Sequence, residues 1–203
     1  MAGTTVDLDL VHVQFTQSLT ENGEDVFLET YILAYEEISK IFGVLGTVFK
    51  FVSTDVNKKI NILRSKLRQD PDSYRTVRNM VMFETCHNVT VTDTNNGCRT
   101  LLRLHRALEF VAEFIQVLSV EKGDNISNSV WTAYSATLAK HHTWLVRNSV
   151  SMAMYTLPTR GNILEQVGKT ERPESLGNLV SVMRDVYRVV ETAYTEFDLL
   201  QLK

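Results

Sequence analysis

Proline, glycine and cysteine are all scarce in this sequence. Its 203 residues include three prolines and nine glycines, too few turn-forming residues for a sandwich of short strands, and this composition favours long helices. The two cysteines, Cys86 and Cys98, cannot build a disulfide framework, and their spacing matches no zinc motif. The sequence therefore predicts neither a disulfide-stapled fold nor a zinc site.

Long uncharged apolar runs are also missing. No stretch of about 18 such residues occurs, so no membrane-spanning helix is predicted. The first ten residues, MAGTTVDLDL, lack the basic region and apolar core of a secretory signal. These features predict a cytosolic protein, in which the glycosylation sequons at Asn88 and Asn125 are chance matches.

The charge balance excludes a protein that coats nucleic acid by bulk electrostatics. The chain has 21 Lys and Arg against 24 Asp and Glu, a net charge of −3. Apolar residues make up 44 % and charged residues 22 %, which is typical of an ordered protein. The length and the lack of a linker predict one domain covering residues 1–203.

The spacing of apolar residues predicts an all-α fold. Residues 6–19 fit a strand or a helix, and a helix is favoured because no partner strand is evident. One long helical stretch covers 24–51, where Gly43 and Gly46 indicate close packing or a bend. Another helix begins at a Ser53 or Thr54 cap, with Asp55 in its first turn, and ends before Asp70. The remaining predicted helices cover residues 72–87, 98–121, 127–139, 141–156, 160–168 and 173–197.

Two sets of charged residues have helical spacing. Asp55 and Lys59 lie four apart and so share a helix face, as an ordinary surface ion pair or as part of a binding site. Arg99, Arg103 and Arg106 lie on a helix that is otherwise strongly apolar. They form either a solvated basic stripe or a surface that faces an anion.

The histidines and cysteines give little support to catalysis. His141 and His142 are adjacent and point to different helix faces, so a donor to an oxyanion is favoured over a metal site. Cys86 beside His87 is best explained as a buried cysteine at a helix end. No nucleophile motif and no Gly-rich phosphate loop is present. We therefore predict no enzyme, no metal and no cofactor.

Four segments carry a family resemblance. FKFVSTDVNKK at 49–59 and CRTLLRLHRAL at 98–108 resemble the two headgroup segments of the glycolipid transfer protein family. HHTWLVR at 141–147 is similar to the family's His-x-Trp motif, and YTLPTR at 155–160 to the segment that follows it. The match runs from about residue 8 to the carboxyl end of the sequence.

The resemblance implies a two-layer helical sandwich that encloses a hydrophobic pocket for the chains of one sphingolipid. It also implies that a monomer transfers this lipid between membranes without chemical reaction. Sugar-binding members have an Asn where this chain has Lys59, and a sugar-stacking Trp where it has Arg103. Because two cations suit a phosphate, the chain is most similar to the ceramide-1-phosphate transfer protein subgroup.

The resemblance also assigns roles to the headgroup residues. Asp55 would accept hydrogen bonds from the ceramide amide N–H and the sphingoid hydroxyl. Lys59, Arg99 and Arg103 would neutralise the phosphate, and His142 would donate to the amide carbonyl.

Apolar candidates are assigned to the pocket and to the membrane contact. Trp144 is either an interfacial anchor or a partly buried core residue. The basic residues expected beside it at the membrane surface are Lys140, Arg147 and Arg160. Ten side chains are candidates for lining the pocket, although any of them can be ordinary core: Leu8, Phe15, Phe42, Phe49, Val52, Val111, Phe114, Leu118, Val146 and Val150.

Other interpretations remain open. A lipid sensor or a carrier of sugar-headed glycolipids would keep the fold, but for the carrier residues 98–110 contain no Trp to serve as a sugar platform. An all-helical protein-interaction module would explain the helices and the basic stripe without a pocket.

Overall fold

The computed structural model describes residues 6–202, and these fold into helices without a named strand. Residues 1–5 and 203, which the predicted domain includes, lie outside the described residues. The α-helices are α1 Leu8–Ser18, α2 Leu28–Ser39, α3 Ile41–Val44, α4 Lys50–Gln69, α5 Val77–Cys86, α6 Val89–Thr92, α7 Gly97–Val120, α8 Ser127–Ala136, α9 Trp144–Met154, α10 Arg160–Gln166 and α11 Leu176–Glu196. Single 3₁₀ turns cover Thr47–Phe49, Leu138–His141 and Pro173–Ser175.

The helices pack in two layers around α7, which confirms the predicted all-α fold. α7 packs against α11, α4, α5 and α8, while α1 packs against α2 and α11. Buried residues occur on more than one side of α7, as expected for a helix enclosed by neighbours. In the part of the chain that the structure describes, no helix has the length and apolar composition needed to span a membrane.

The helix predicted over residues 6–19 is confirmed as α1. The Asp7 side chain caps it by accepting a hydrogen bond from the Leu10 backbone N–H at 2.9 Å. Leu8, Val11 and Phe15 are buried on the side that faces the core, in helical rather than alternating register.

The helical stretch predicted over 24–51 is not continuous, and the bend given as one reading of its glycines is confirmed at Gly46. The segment forms α2, α3 and a 3₁₀ turn, and the backbone bends at Gly46, whose φ of +104° strongly favours glycine. Gly43 does not mark close packing, because a Cβ atom there would meet nothing within 4 Å. Apolar periodicity continued across the bend because residues on both sides are buried in one core.

The predicted start of α4 is also wrong. The helix begins at Lys50, so Ser53 and Thr54 lie inside it, and the Thr54 hydroxyl donates to the Lys50 carbonyl. Asp55 therefore lies in the second turn rather than the first. Its carboxylate is too far along the helix to cap the free N–H groups of the amino end.

Three further helix starts differ from the prediction, two of them because local threonine caps decide them. α5 begins at Val77 behind Thr76, and α9 at Trp144 behind Thr143, each capped by the threonine side chain. Consequently His141 and His142 precede α9 instead of belonging to it. α11 begins at Leu176, after a 3₁₀ turn at Pro173.

A buried carboxylate fixes the amino end of α7. Glu84 is fully buried and accepts hydrogen bonds from the backbone N–H groups of Gly97 and Cys98 at 2.6 and 2.8 Å. The Tyr74 hydroxyl donates to the same carboxylate at 2.7 Å, and Lys66 lies 3.9 Å from it. This cluster fixes the first turn of α7 and therefore the positions of the arginines that follow along the helix.

Candidate functional site

Asp55 and Lys59 form an ion pair on the outer part of α4. Their side chains differ in exposure, 63 % for Asp55 and 13 % for Lys59. The lysine ammonium is therefore largely covered by protein, while the carboxylate remains open to solvent. This pair presents a hydrogen-bond acceptor and a cation side by side.

The helix register places Arg103 at about the height of Lys59. Lys66 near the end of α4 bonds Asp93 at 2.9 Å, just before the start of α7, so the two packed helices run in opposite directions. Lys59 is seven residues before Lys66, about 10 Å along α4 at the helical rise. The same distance into α7 from Gly97 reaches residues 103–104.

Arg103 is exposed and carries an uncommitted guanidinium. Among residues 6–202, no side chain or carbonyl is hydrogen-bonded or ion-paired to it. Its charge acts on Arg106, whose pKa is lowered first by burial and then by Arg103. An anion beside Arg103 would meet five N–H donors that have no other partner.

The other two arginines of α7 are already used by the protein. Arg99 donates to the carbonyl oxygens of Thr90, Asp93 and Thr94 at 3.1–3.4 Å. Arg106 donates to the Leu200 carbonyl at 2.7 Å. The three arginines are therefore engaged to different degrees. A phosphate would compete with the 90–94 carbonyls for the Arg99 guanidinium, whose Nε has no hydrogen-bond partner in the described part of the chain.

His142 lies between Tyr134 and the pair on α4. Its Nδ1 is 2.8 Å from the Tyr134 hydroxyl. Burial lowers the pKa of His142, the Asp55 carboxylate opposes this shift, and Lys59 adds to it. The ring is therefore neutral at neutral pH, with both α4 residues close enough to act on it electrostatically.

His141 and Cys86, two residues considered in the sequence analysis, both lie at the surface. His141 is exposed beside Arg106 and Lys140. Cys86 is exposed as well, so its interpretation as a buried helix-end cysteine is wrong. Within residues 6–202, no group of three or more His, Cys, Asp or Glu side chains is arranged to hold a metal ion.

Nine of the ten predicted pocket residues lie in or against the hydrophobic core. Leu8, Phe15, Phe42, Phe49, Val111, Phe114 and Leu118 are buried there. Val52 and Val150 pack partly buried against the same core, and Val146 is half-buried. Hollows of about 420, 590 and 840 Å³ open along α11, along α4 and between α2 and α4, and none of the ten residues lines any of them.

The residues predicted to touch a membrane are placed unequally. Trp144 is 68 % exposed, which rules out a core role, and its neighbour Leu145 is exposed to the same extent. Arg147 is exposed nearby, whereas Lys140 lies 3.6 Å from Glu109. Arg160 donates to the Leu118 carbonyl and so ties α10 to the end of α7.

Sequence analysis missed two functional candidates, Tyr134 and Glu84. Tyr134 is eight residues before His142 and on another element, so helical spacing gives no sign of their contact. Glu84 meets the start of α7 from α5 across a loop. Neither contact belongs to a sequence motif, and both form only when separate elements pack together in the fold.

The comparisons with known proteins decide the family. The sequence profile described as Glycolipid transfer protein (GLTP) matches residues 26–169, more than two thirds of the chain. The chain belongs to the glycolipid transfer protein family. Because the match includes all four segments from which the resemblance was drawn, the predicted membership is confirmed.

Within the glycolipid transfer protein family, the chain is similar to ceramide-1-phosphate transfer proteins. The rat protein is 35 % identical over 97 % of this chain and 96 % of its own length. The crystal structure of the apo mouse protein superposes with a TM-score of 0.90 at 36 % identity, covering 97 % of this chain and 99 % of that one. The human protein in complex with 12:0 ceramide-1-phosphate gives a TM-score of 0.88 at 34 % identity, covering 98 % and 100 %.

Proposed function

We propose that this protein carries ceramide-1-phosphate between membranes without any chemical reaction. The observation that carries the proposal is the exposed guanidinium of Arg103, which has no hydrogen-bond partner among the described residues. Counting residues along α4 and α7 puts it at about the height of Lys59. Two cations suit a phosphate, for which charge-assisted hydrogen bonds are strong, whereas a sugar ring is bound by an aromatic face. The lipid bound in the structure of the similar human protein, 12:0 ceramide-1-phosphate, has such a phosphate headgroup.

The ceramide part of the lipid is recognised by the neighbours of these cations. Asp55 accepts hydrogen bonds from the amide N–H and the sphingoid hydroxyl, because an ionised carboxylate has only acceptors. His142 donates to the amide carbonyl. Lys59 and Arg103 neutralise the phosphate, and Arg99 joins them when its guanidinium leaves the 90–94 carbonyls.

The hydrocarbon chains occupy space that opens within the core. Nine of the ten candidate residues are packed in or against the apolar core, so lipid entry separates side chains that otherwise contact each other. Burying the chains there removes a large apolar surface from water, worth about 25 cal/mol per Å². The whole chain acts as one lipid-transfer domain, as a cytosolic monomer that touches membranes reversibly.

A vesicle transfer assay tests the proposal. We expect ceramide-1-phosphate to move faster than galactosylceramide, and Arg103→Leu to slow its transfer about tenfold or more, because one charge-assisted bond is worth about 1.5–3 kcal/mol. Arg188→Leu is the matched control, since Arg188 is an exposed arginine on α11 that pairs with Asp185.

Three outcomes would contradict the proposal. Wild-type transfer by Arg103→Leu would remove the phosphate role of Arg103. Faster transfer of galactosylceramide would favour a glycolipid carrier. Failure of the wild-type protein to bind any sphingolipid would favour a protein-interaction module.

A further inference from the structure

Tyr134 holds the ring of His142 through a single, partly buried hydrogen bond. The tyrosine is 1 % exposed, and its hydroxyl oxygen lies 2.8 Å from His142 Nδ1. The two rings are tilted with their centroids 5.8 Å apart, so the contact is edge-on through the hydroxyl rather than a stack. In the described part of the chain, the Tyr134 hydroxyl has no second hydrogen-bond partner.

The burial of Tyr134 fixes the direction of this hydrogen bond. If Nδ1 carried a proton and donated it, the phenolic proton would be buried without an acceptor, at a cost of about 1–3 kcal/mol. When the hydroxyl donates, Nδ1 accepts and both groups are satisfied. A neutral imidazole that accepts at Nδ1 carries its proton on Nε2.

The charge state of the ring makes the tautomer decisive. Burial keeps the pKa of His142 low, Lys59 lowers it further, and Asp55 opposes both. A protonated ring would offer donors at both nitrogens, but a neutral ring offers one donor and one acceptor. Which atom faces the lipid therefore depends on what holds the other one.

We propose that Tyr134 is a positioning residue that fixes His142 as the Nε2–H tautomer, so that the ring offers a donor to the amide carbonyl of the bound lipid. The proposal rests on the proposed function, because only an acyl-amide cargo supplies that carbonyl beside Asp55. Tyr134 itself touches no lipid and acts through His142.

Nitrogen-15 NMR of lipid-free protein with labelled histidine side chains tests the tautomer directly. His142 is assigned by comparison with His142→Gln. At neutral pH we expect Nε2 to be protonated and Nδ1 to be a hydrogen-bonded acceptor. In Tyr134→Phe we expect the Nδ1 resonance to move and the second tautomer to appear. A protonated Nδ1 in the wild-type protein, or an unchanged Nδ1 resonance in Tyr134→Phe, would overturn the proposal.

A binding experiment separates positioning from simple packing. Tyr134→Phe keeps the ring that contacts Phe110 and Trp131 and removes only the hydroxyl. We expect it to weaken ceramide-1-phosphate binding roughly threefold to tenfold, the range for one neutral hydrogen bond. Tyr31→Phe, which removes an equally buried hydroxyl with no hydrogen-bond partner among residues 6–202, is the control and should bind as the wild type does.

A double-mutant cycle completes the test. In the His142→Gln background, Tyr134→Phe should have no further effect, because the residue through which it acts is gone. An equal loss in both backgrounds would show that Tyr134 only supports packing. If the wild-type protein binds no ceramide-1-phosphate, the proposed function fails, while the NMR result still decides the tautomer. If binding is normal and Nδ1 is protonated, only the present proposal fails.

Discussion

At the scale of single residues, the exposed carboxylate of Asp55 can be removed with little effect on folding. An exposed ion pair contributes under about 1 kcal/mol, and Asp55 is 63 % exposed in its pair with Lys59. We expect Asp55→Asn to keep a melting temperature within a few degrees of the wild-type value and to lose tenfold or more in ceramide-1-phosphate transfer.

Asp185→Asn is the matched control for this change, because Asp185 forms a comparable exposed ion pair with Arg188 on α11. It should transfer lipid at the wild-type rate. Equal transfer by Asp55→Asn and Asp185→Asn would show that the Asp55 carboxylate does not bind the ceramide amide.

His141 makes folding stability depend on pH. Although His141 is exposed, partial desolvation of its ring, followed by the charges of Arg106 and Lys140, lowers the pKa of His141 from 6.5 to about 4. Between these values the unfolded chain binds more protons than the folded one, so stability falls as the pH falls. We expect the melting temperature of the wild-type protein to drop more steeply from pH 6.5 to pH 4 than that of His141→Gln. Parallel curves would show that His141 does not contribute.

Individual contacts were the least predictable part of the site from sequence. Spacing placed Asp55 and Lys59 on one face, and they do pair. The same reasoning grouped Arg99 with Arg103, but Arg99 bonds the 90–94 carbonyls. Helical spacing reports which residues share a face, and it carries no information on what a distant segment brings to that face.

At the scale of elements, the amino end of α7 depends on a glycine. A Cβ atom at Gly97 would lie 2.6 Å from Met80 Sδ and 3.0 Å from a Glu84 carboxylate oxygen. Because the buried neighbours cannot all move aside, we expect Gly97→Ala to destabilise the protein by about 1–3 kcal/mol in denaturant unfolding.

Gly177→Ala provides the comparison, since it lies in α11 and a Cβ atom there meets nothing within 4 Å. It should be neutral or slightly stabilising, because alanine has the higher helix propensity. A Gly97→Ala protein as stable as Gly177→Ala would mean that the Glu84 cluster adapts easily.

Helix existence was predictable, and helix starts were not. α1, α7, α8, α10 and α11 arose from apolar periodicity that the core then used. The glycines at 43 and 46 indicated a bend, but apolar periodicity did not show where α2 and α3 end, because buried residues continue on both sides of Gly46. The starts of α5 and α9 were decided by the caps Thr76 and Thr143, which compete with other polar residues nearby.

At the scale of the whole molecule, we expect reversible docking through Trp144. An exposed indole favours the headgroup region of a bilayer, and each nearby cation adds about 1 kcal/mol at an anionic surface. In a Trp131→Phe background, Trp144 is the remaining tryptophan. Its fluorescence should shift on addition of anionic vesicles, and less so at high salt.

Trp144→Ala should weaken vesicle binding more than binding of a short-chain, water-dispersible ceramide-1-phosphate. Met82→Ala is a suitable control, because Met82 is an exposed apolar residue on α5. If the Trp144 emission is the same with and without vesicles, another surface makes the contact.

The ion pair between Asp55 and Lys59 also bears on how cargo leaves. In the lipid-free protein these charges satisfy each other, so an empty site contains no stranded charge at this point. A departing headgroup takes away a donor from Asp55 and an anion from Lys59 at once, and the two residues can reunite. Unloading therefore faces a smaller energetic barrier than it would from a site whose charges had no alternative partner, and each round of delivery resets the protein for the next.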